Sequence, residues 1–469
     1  MIADLKPYPE YKEAHLPWLD SIPKHWEMAP NRALMRDQRE VVGARASDYT
    51  LLSLTLRGVI ARDMVNPKGK FPAQFNTYKV VRPDDFVFCL FDIDETPRGV
   101  GISPLKGMIT GAYDVFSPTH RINPRYLYYY YFFLDEGKLM KPLYTGLRKT
   151  IQRGVFASLK APLPPPAEQA AIVRFLDWAN GRLDRAIRAK RKVIALLNEQ
   201  KQAIIHRAVT RGLDSSVPLK PSGIPWLGDI PQHWEARRIK QVCAAIVDCK
   251  NRTPAMIPGG KFTVVRTTNI RRGRFNLKGS FTTDQKNYEI WTQRGAPRVG
   301  DVFFTREAPV GEACLVPDLE GLCMGQRMMY FRPNTTILDS EFLLNSIYGP
   351  VTRTYIEVEA NGSTVGHLRL GQVSALPLLW CPIGEQKRIV AHIAAATAPL
   401  NTTISRLERE IELLREYRTR LVADVVTGKL DVRDAAERLG QREPFLEAMD
   451  THLHDKLEDV EEDSLDVEI

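Results

Sequence analysis

Glu168-Gln169-Ala-Ala-Ile172-Val173 opens a block that closes at Val209-Thr210-Arg-Gly-Leu213-Asp214, and the block returns as Glu385-Gln386 … Ile389-Val390 through Val426-Thr427 … Leu430-Asp431. The copies match without a gap at a constant offset of 217, with 15 identities in 47 positions. In the first, Ile172, Leu176, Leu183, Ile187, Ile194, Leu197 and Ile204 recur at steps of three, four and seven. In the second, Ile389, Ile393, Leu400, Ile404, Leu407, Ile411, Leu414 and Leu421 do the same. Such spacing lays apolar side chains on one helical stripe, and a stripe this narrow suits a coiled-coil seam. The stripes coincide under the offset except where Lys190 stands in register with Leu407. Gly181 and Pro399 fall at nearly the same place in the two copies. Each block therefore reads as a short helix and then a long one of about 28 residues, ~42 Å at ~1.5 Å per residue. Pro399 would be the first residue of that long helix, where a missing N–H costs nothing.

A second motif repeats upstream of each block. Pro17-Trp18-Leu19 … Ile22-Pro23 … His25-Trp26-Glu27 returns as Pro225-Trp226-Leu227 … Ile230-Pro231 … His233-Trp234-Glu235, eight identities in eleven positions at an offset of 208. The prolines of Pro162-Leu-Pro-Pro-Pro166 cannot be helix interior and mark a linker or turn before the first block; Pro377 and Pro382 precede the second. Residues 28–159 and 236–375, between opening motif and helix, barely resemble each other. They share only a skeleton. A strand at Asp84-Asp-Phe-Val-Phe-Cys89 answers one at Gly300-Asp-Val-Phe-Phe-Thr-Arg306, and Gly107–Tyr113 answers Gly321–Arg327.

The fold expected is α+β: two mixed α/β recognition domains separated by two long helices packed as an antiparallel coiled coil, an internal pseudo-twofold repeat. The boundaries are an N-terminal segment and opening motif (1–27), a first domain (28–160), a central helical region (161–215) and a linker with the repeated motif (216–235). A second domain (236–380), a distal helical region (381–434) and an acidic tail without fixed structure (435–469) follow. The 469 residues suffice for several separate cores.

The net charge of +9 hides a contrast along the chain. From Glu443 to Ile469 eleven Asp/Glu stand against one Lys, so residues 1–442 carry +19. A body this basic points to a polyanion, nucleic acid first, while the tail reads as a solvated acidic segment. The longest apolar run, Tyr126–Leu134, is too short to span a membrane. The N-terminus lacks a signal-peptide pattern, and a cytoplasmic protein is expected. Cys89, Cys243, Cys249, Cys314, Cys323 and Cys381 form no CxxC pair and read as buried reduced thiols, with no metal site expected.

Base reading uses Arg or Lys on guanine and Asn or Gln on adenine; phosphate contacts use Arg, Lys, Ser and Thr. Candidates in the second domain are Arg266, Thr268, Asn269, Arg271, Arg272, Arg274, Arg306, Gln326, Arg327, Ser363 and Thr364. In the first they are Tyr113, Arg148, Lys149, Gln152 and Arg153. The clusters Arg271–Arg274 and Arg148–Arg153 carry the strongest signal; any residue taken singly also fits a solvated surface. His25 and His233, each beside a Trp, recur only in the frame motif and read as packing residues that close each domain onto the frame. No phosphate loop, HExxH, GxSxG or dinucleotide fingerprint is present. No catalytic residue is expected.

The twofold opening motif, the Pro-rich approach to Glu-Gln … Ile-Val, and the helix ending near Val-Thr … Leu-Asp resemble the specificity subunit of type I restriction–modification systems, a host-defence family. The resemblance covers nearly the whole chain except the acidic tail. It implies two target-recognition domains, each reading half of a bipartite, asymmetric double-stranded DNA sequence. It implies helical regions that set the gap and dock two modification subunits. Those subunits resemble adenine-N6 methyltransferases using S-adenosylmethionine; restriction subunits add ATP- and Mg-dependent translocation and cleavage. This chain would hold no cofactor itself. It departs from the family pattern in its acidic tail and in Leu19-Asp20, where the second copy has Leu227-Gly228. A stand-alone DNA-modifying enzyme would need the absent motifs, and a coiled-coil scaffold leaves the divergent basic domains unexplained.

Overall fold

The computed structural model describes residues 5–63, 74–93, 95–146, 148–224, 226–360 and 366–440. Two compact units form: residues 1–190 with 409–469, and residues 191–408. The acidic tail expected at 435–469 starts too early: residues 435–440 belong to the helix Arg433–Gly440, which buries Ala435 and Ala436, while residues from 441 onward, with Ser363 and Thr364, lie outside the described residues.

The first unit is built on a four-stranded antiparallel sheet. Its order is Met35–Gln38, Asp114–Pro118, Phe86–Phe88, Val100–Ile102. The rings of Phe88, Phe116, Tyr131 and Phe156 meet edge-on or tilted beneath it. The tyrosine-rich run forms the helix Pro124–Glu136, which buries Tyr126, Tyr130 and Tyr131. Asn123 caps that helix by accepting from the N–H groups of Arg125 and Tyr126.

The second unit repeats the sheet in the same order with Cys243–Asp248, Met328–Pro333, Val302–Thr305 and Ala313–Leu315. Its helix Ser340–Ile347 is capped by Asp339. Each domain is shut at its base by two paired strands, Glu27–Pro30 with Lys160–Leu163 and Glu235–Arg238 with Pro377–Trp380. The proline cluster is therefore not a linker. Pro162 sits opposite Met28 in the closing strand, and Pro166 is the first helical residue. A two-stranded ladder has an open edge, where a proline without N–H is tolerated.

The expected helix breaks do not occur. The first long helix runs unbroken over Pro166–Arg211, 46 residues, and the second over Ile383–Val426, 44 residues, with Pro399 inside it. A mid-helix glycine costs only ~1 kcal/mol against alanine. Leu176, Ala179, Leu183 and Ile187 are all buried on either side of Gly181, and each large apolar side chain is worth ~1.5–3 kcal/mol. The interior proline costs ~3 kcal/mol, and the same argument applies: Ile393, Thr397 and Ile404 are buried around it. At ~1.5 Å per residue the first helix alone is ~69 Å long, not the ~42 Å of the broken reading.

In the first unit, Arg418 pairs with Asp184 at 2.8 Å and Lys190 with Glu410 at 2.5 Å. One number rises as the other falls, so the two helices run antiparallel there. In the second unit, Lys201 Nζ donates to Asn401 Oδ1 at 3.0 Å. Lys190, the one interruption of the stripe, finds its partner in a carboxylate rather than in Leu407. Among the stripe residues, Ile172, Leu176, Leu183, Ile187, Ile389, Ile393, Ile404, Ile411 and Leu421 are buried. Ile194, Leu197, Ile204, Leu400, Leu407 and Leu414 are half-buried. Each core also takes the far end of the other repeat's helix: Leu421, Val422, Val425 and Val426 join the first, Ile205, Ala208 and Val209 the second. Among the described residues no helix is long and apolar enough to cross a membrane.

Candidate nucleic-acid interface

The repeated residues meet in one hydrogen-bonded knot per unit. In the first, buried Glu168 accepts from Trp26 Nε1 at 2.8 Å and from the Tyr8 hydroxyl, and lies 2.8 Å from His25 Nε2. In the second, Glu385 accepts from Trp234 Nε1 at 3.1 Å and lies 2.7 Å from His233 Nε2. A repeated carboxylate thus stands beside each histidine. It is the glutamate opening the helical block, too distant in sequence to be recognised as the partner. Burial, and then the bond to Glu168, push the Tyr8 phenol well above its usual range.

The neighbouring glutamine reaches the other way. Gln169 Oε1 accepts from Asn123 N at 2.6 Å, and Gln386 Oε1 accepts from Asp339 N at 2.8 Å. Each glutamine therefore ties the long helix to the cap of its domain helix. Gly428 and Gly212, both left-handed, close over Trp26 and Trp234 respectively; a Cβ on Gly428 would lie 2.3 Å from Pro23 Cδ. The opening hairpins differ in detail. Leu16 pairs with Leu19 in the first copy, whereas Gly228 adopts φ +72 in the second. Trp18 donates to Tyr130, while Trp226 is exposed.

At the other end of each domain the chemistry diverges. In the first, the strand Phe86–Phe88 runs into Leu90-Phe91-Asp92, with Asp92 at φ +45. A basic loop is closed by paired bonds between Thr145 and Thr150 and is tied down by Asp92 N on Arg148 O (3.0 Å) and Ile151 N on Leu90 O (2.9 Å). In the second, Val302–Thr305 runs into Arg306-Glu307-Ala308, with Ala308 at φ +50, and Leu368 N donates to Arg306 O at 3.1 Å. Both domains thus set a strand-end loop against a second loop at the same place.

Arg148, Gln152 and Arg153 are exposed at this loop pair. Arg153 is oriented by Asp114 Oδ1 at 2.5 Å, which Lys79 also approaches at 3.3 Å. Lys149 is half-buried at φ +44, 3.7 Å from Glu95. Tyr113 is half-buried and stacks on Phe91, ring centroids 6.2 Å apart; burial pushes its phenol up to about 12, so it remains a neutral donor.

Arg271 and Arg274 pair across a two-residue turn whose Arg272 and Gly273 both have positive φ, +49 and +80. That geometry favours Asn-Gly, so an arginine in the first place is a deliberate choice. The turn is pinned by Gly273 N on the Tyr348 hydroxyl (2.8 Å) and Arg272 N on Glu312 (2.5 Å). The Lys201 ammonium is driven below its usual range by burial and then by the charge of Arg274. Arg266, Thr268, Gln326 and Arg327 are exposed, and Arg327 adopts φ +72.

Two candidates are corrected. Asn269 is buried, and its amide spans Arg266 N, Asn276 O and Lys278 O, so no edge is left for a base. Arg306 is largely buried and paired with Asp248 at 3.4 Å. Three further features escaped the sequence reading. Phe91 and Glu307 face the loop residues already named. Leu56-Arg57 tops a hairpin in the first domain as Arg272-Gly273 does in the second. Lys250 and Arg252 lie over the Trp291 ring, and the sequence signal was the basic pair Lys250-Asn-Arg252 itself. All six cysteines are unpaired, and burial pushes Cys243, Cys314 and Cys323 up to about 12. Among the described residues no group of three or more His, Cys, Asp or Glu is placed to hold a metal ion.

The class so defined is a tandem recognition protein: a repeated hydrogen-bonded frame on two long helices, carrying two domains whose exposed loops differ. Residues 231–413 match the family model of the type I restriction modification DNA specificity domain. The putative type I restriction enzyme MjaX specificity subunit of Methanocaldococcus jannaschii is 24% identical over 324 residues, covering 67% of this chain and 70% of that protein. The MjaVIII specificity subunit of the same organism is 32% identical over 92 residues, 20% of each chain. A solved chain described under complex assembly and conformational transition of the type I R-M system shares the fold. Its TM-score is 0.55 at 16% identity, over 87% of this chain and 99% of that one. Residues 231–413 thus match a type I restriction modification DNA specificity domain, and the chain as a whole is similar to type I restriction enzyme specificity subunits.

Proposed function

We propose that this chain is the sequence-reading subunit of a type I restriction–modification complex, without catalysis of its own, acting in the cytoplasm on double-stranded DNA. Each domain reads one half of a bipartite, asymmetric site. The observation that carries this is the contrast within one chain. The Trp–Glu–His knot recurs atom for atom, while the loops at the far end of each domain change in shape and charge. Exposed arginines at the Arg271–Arg274 hairpin and the Arg148–Arg153 loop supply salt-dependent phosphate contacts and base contacts.

The long helices set the gap and dock two modification subunits. Leu196 and Leu413, equivalent under the 217 offset, are 55% and 47% exposed at the same point in the C-terminal half of each helix. An apolar side chain left out at the same place in both copies suits two identical partners. Restriction subunits join the same complex. S-adenosylmethionine, ATP and Mg serve those partners.

The test is to map adenine methylation in cells expressing this chain with its modification subunit. A split, gapped motif is expected, and replacing residues 28–160 should alter only one half. Inserting four residues into a long helix should change the gap alone. Unsplit methylation, or none with any partner, sinks the reading.

A further inference from the structure

Phe91 and Glu307 occupy the same place in the two domains. Each follows the third strand of its sheet and precedes a residue held left-handed, Asp92 at φ +45 or Ala308 at φ +50. Each touches a residue at the end of the turn leading into the second strand of the sheet. In the first domain that contact is the Phe91–Tyr113 stack, with interplanar angle 24°. In the second it is an ion pair, Arg327 Nε to Glu307 Oε1 at 3.2 Å, with His367 Nδ1 3.3 Å from the other oxygen. The equivalent residues Phe91 and Glu307 therefore make different contacts, an aromatic stack and an ion pair, each with the residue immediately before the second strand, Tyr113 or Arg327, although the sheet register of those two differs by one.

The charged pair is shaped for reading a base. Glu307 Oε1 stands 3.2 Å from Arg327 Nε, on the side edge of the planar guanidinium, which is distinct from the end-on edge formed by the two terminal nitrogens. The Arg327 side chain remains 45% exposed. Its backbone is at φ +72, a region that glycine enters without strain and a long side chain does not. An arginine held there on folding grounds alone would be a poor choice, so the side chain itself is what the position supplies.

We propose that Phe91/Tyr113 and Glu307/Arg327 are the paired positions at which the two half-site specificities diverge, with Arg327, oriented by Glu307, reading a guanine edge in the half-site of the second domain. This rests on the DNA-reading function proposed above. Arg327 contacts the base and Glu307 is a positioning residue. In the first domain the apolar face of the Phe91–Tyr113 stack takes the equivalent place and suits a thymine methyl.

The test uses the full chain with its modification subunits and genome-wide mapping of methylated adenine. Wild type must give a split motif; if it does not, the proposed function fails and not this inference alone. With that motif in hand, Arg327→Gly should keep or raise the thermal midpoint, because glycine is unstrained at φ +72. It should also lose discrimination of about 5- to 150-fold at one guanine and leave the other half-site intact. Arg327→Lys keeps the charge but not the fork. It should relax the same position, and it decides the matter if the glycine variant is inactive. Glu307→Gln should relax that position more weakly. An unchanged motif in both Arg327 variants overturns the proposal, as does a uniform loss across all positions of both halves.

Discussion

Glu168→Ala should destabilise the first unit more than Glu385→Ala destabilises the second, and the structure sets the size of the gap. The Glu168 carboxylate is 5% exposed and serves two buried donors, the Trp26 indole N–H and the Tyr8 hydroxyl. Truncation leaves both without an acceptor, and a buried donor without a partner costs ~1–3 kcal/mol. The expected loss is therefore ~2–6 kcal/mol. His25, 41% exposed, can turn to water and adds little. Glu385 serves one indole, Trp234, is itself 17% exposed, and has no tyrosine in the place of Tyr8. Its loss should cost ~1–3 kcal/mol, softened where water reaches the N–H.

Because the chain holds two compact units, one global melting curve would blur the comparison. Hydrogen exchange read peptide by peptide across a urea series reports each unit separately. The expected result is faster exchange confined to the first unit for Glu168→Ala and to the second for Glu385→Ala, with the first effect larger. Equal effects, or a larger one at Glu385, would refute the claim that unsatisfied buried donors set the cost.

The first unit should also be the more alkali-sensitive at its tyrosine helix. Burial holds Tyr126, Tyr129, Tyr130 and Tyr131 above the usual phenol value of 10.0. A raised folded-state value means stability fully present below pH ~10 and lost as pH rises through the folded values. Phenolate absorbance should therefore appear in a cooperative step together with loss of that core; gradual ionisation of a folded protein would contradict it. On the long helices, Leu196→Asp and Leu413→Asp should each remove one modification subunit from the complex, counted by native mass spectrometry. Full occupancy in both variants would move the docking surface elsewhere.

The frame was legible because it is repeated: a Trp that must place its N–H and a Glu that must place its charge recur at fixed offsets. What could not be read was that they serve each other, since Trp26 and Glu168 are joined only after the domain between them folds. The helix break at Gly181 and Pro399 was misplaced for an energetic reason. Local propensity argues for a stop, but burial of the flanking Leu and Ile outweighs ~1–3 kcal/mol of backbone cost. At the far end of each domain, arginine clusters were visible as composition. Asn269 was not visible as a structural clamp, because its partners are the backbone carbonyls of the hairpin it stands beside. Glu307 and Phe91 drew no notice because a lone Glu or Phe at a strand end carries no signal until the sheet brings Arg327 or Tyr113 against it.

The same comparison separates what holds the protein together from what it reads. The Trp, Glu and Gln of the two knots are buried or largely so, and their polar groups satisfy one another: indole on carboxylate, amide on helix cap, glycine closed over tryptophan. Their hydrogen bonds are spent within the fold, so none is left for a ligand. Residues that differ are the reverse. Lys149, Arg272 and Arg327 carry basic side chains at φ +44, +49 and +72, where glycine would be the unstrained choice. A frame selected for stability would have removed that strain. Lys138 shares that region but spends its ammonium on buried Asp135, whereas Lys149, Arg272 and Arg327 stand on loops that differ between the halves, where the proposed DNA-reading function gives the strained basic side chains a use.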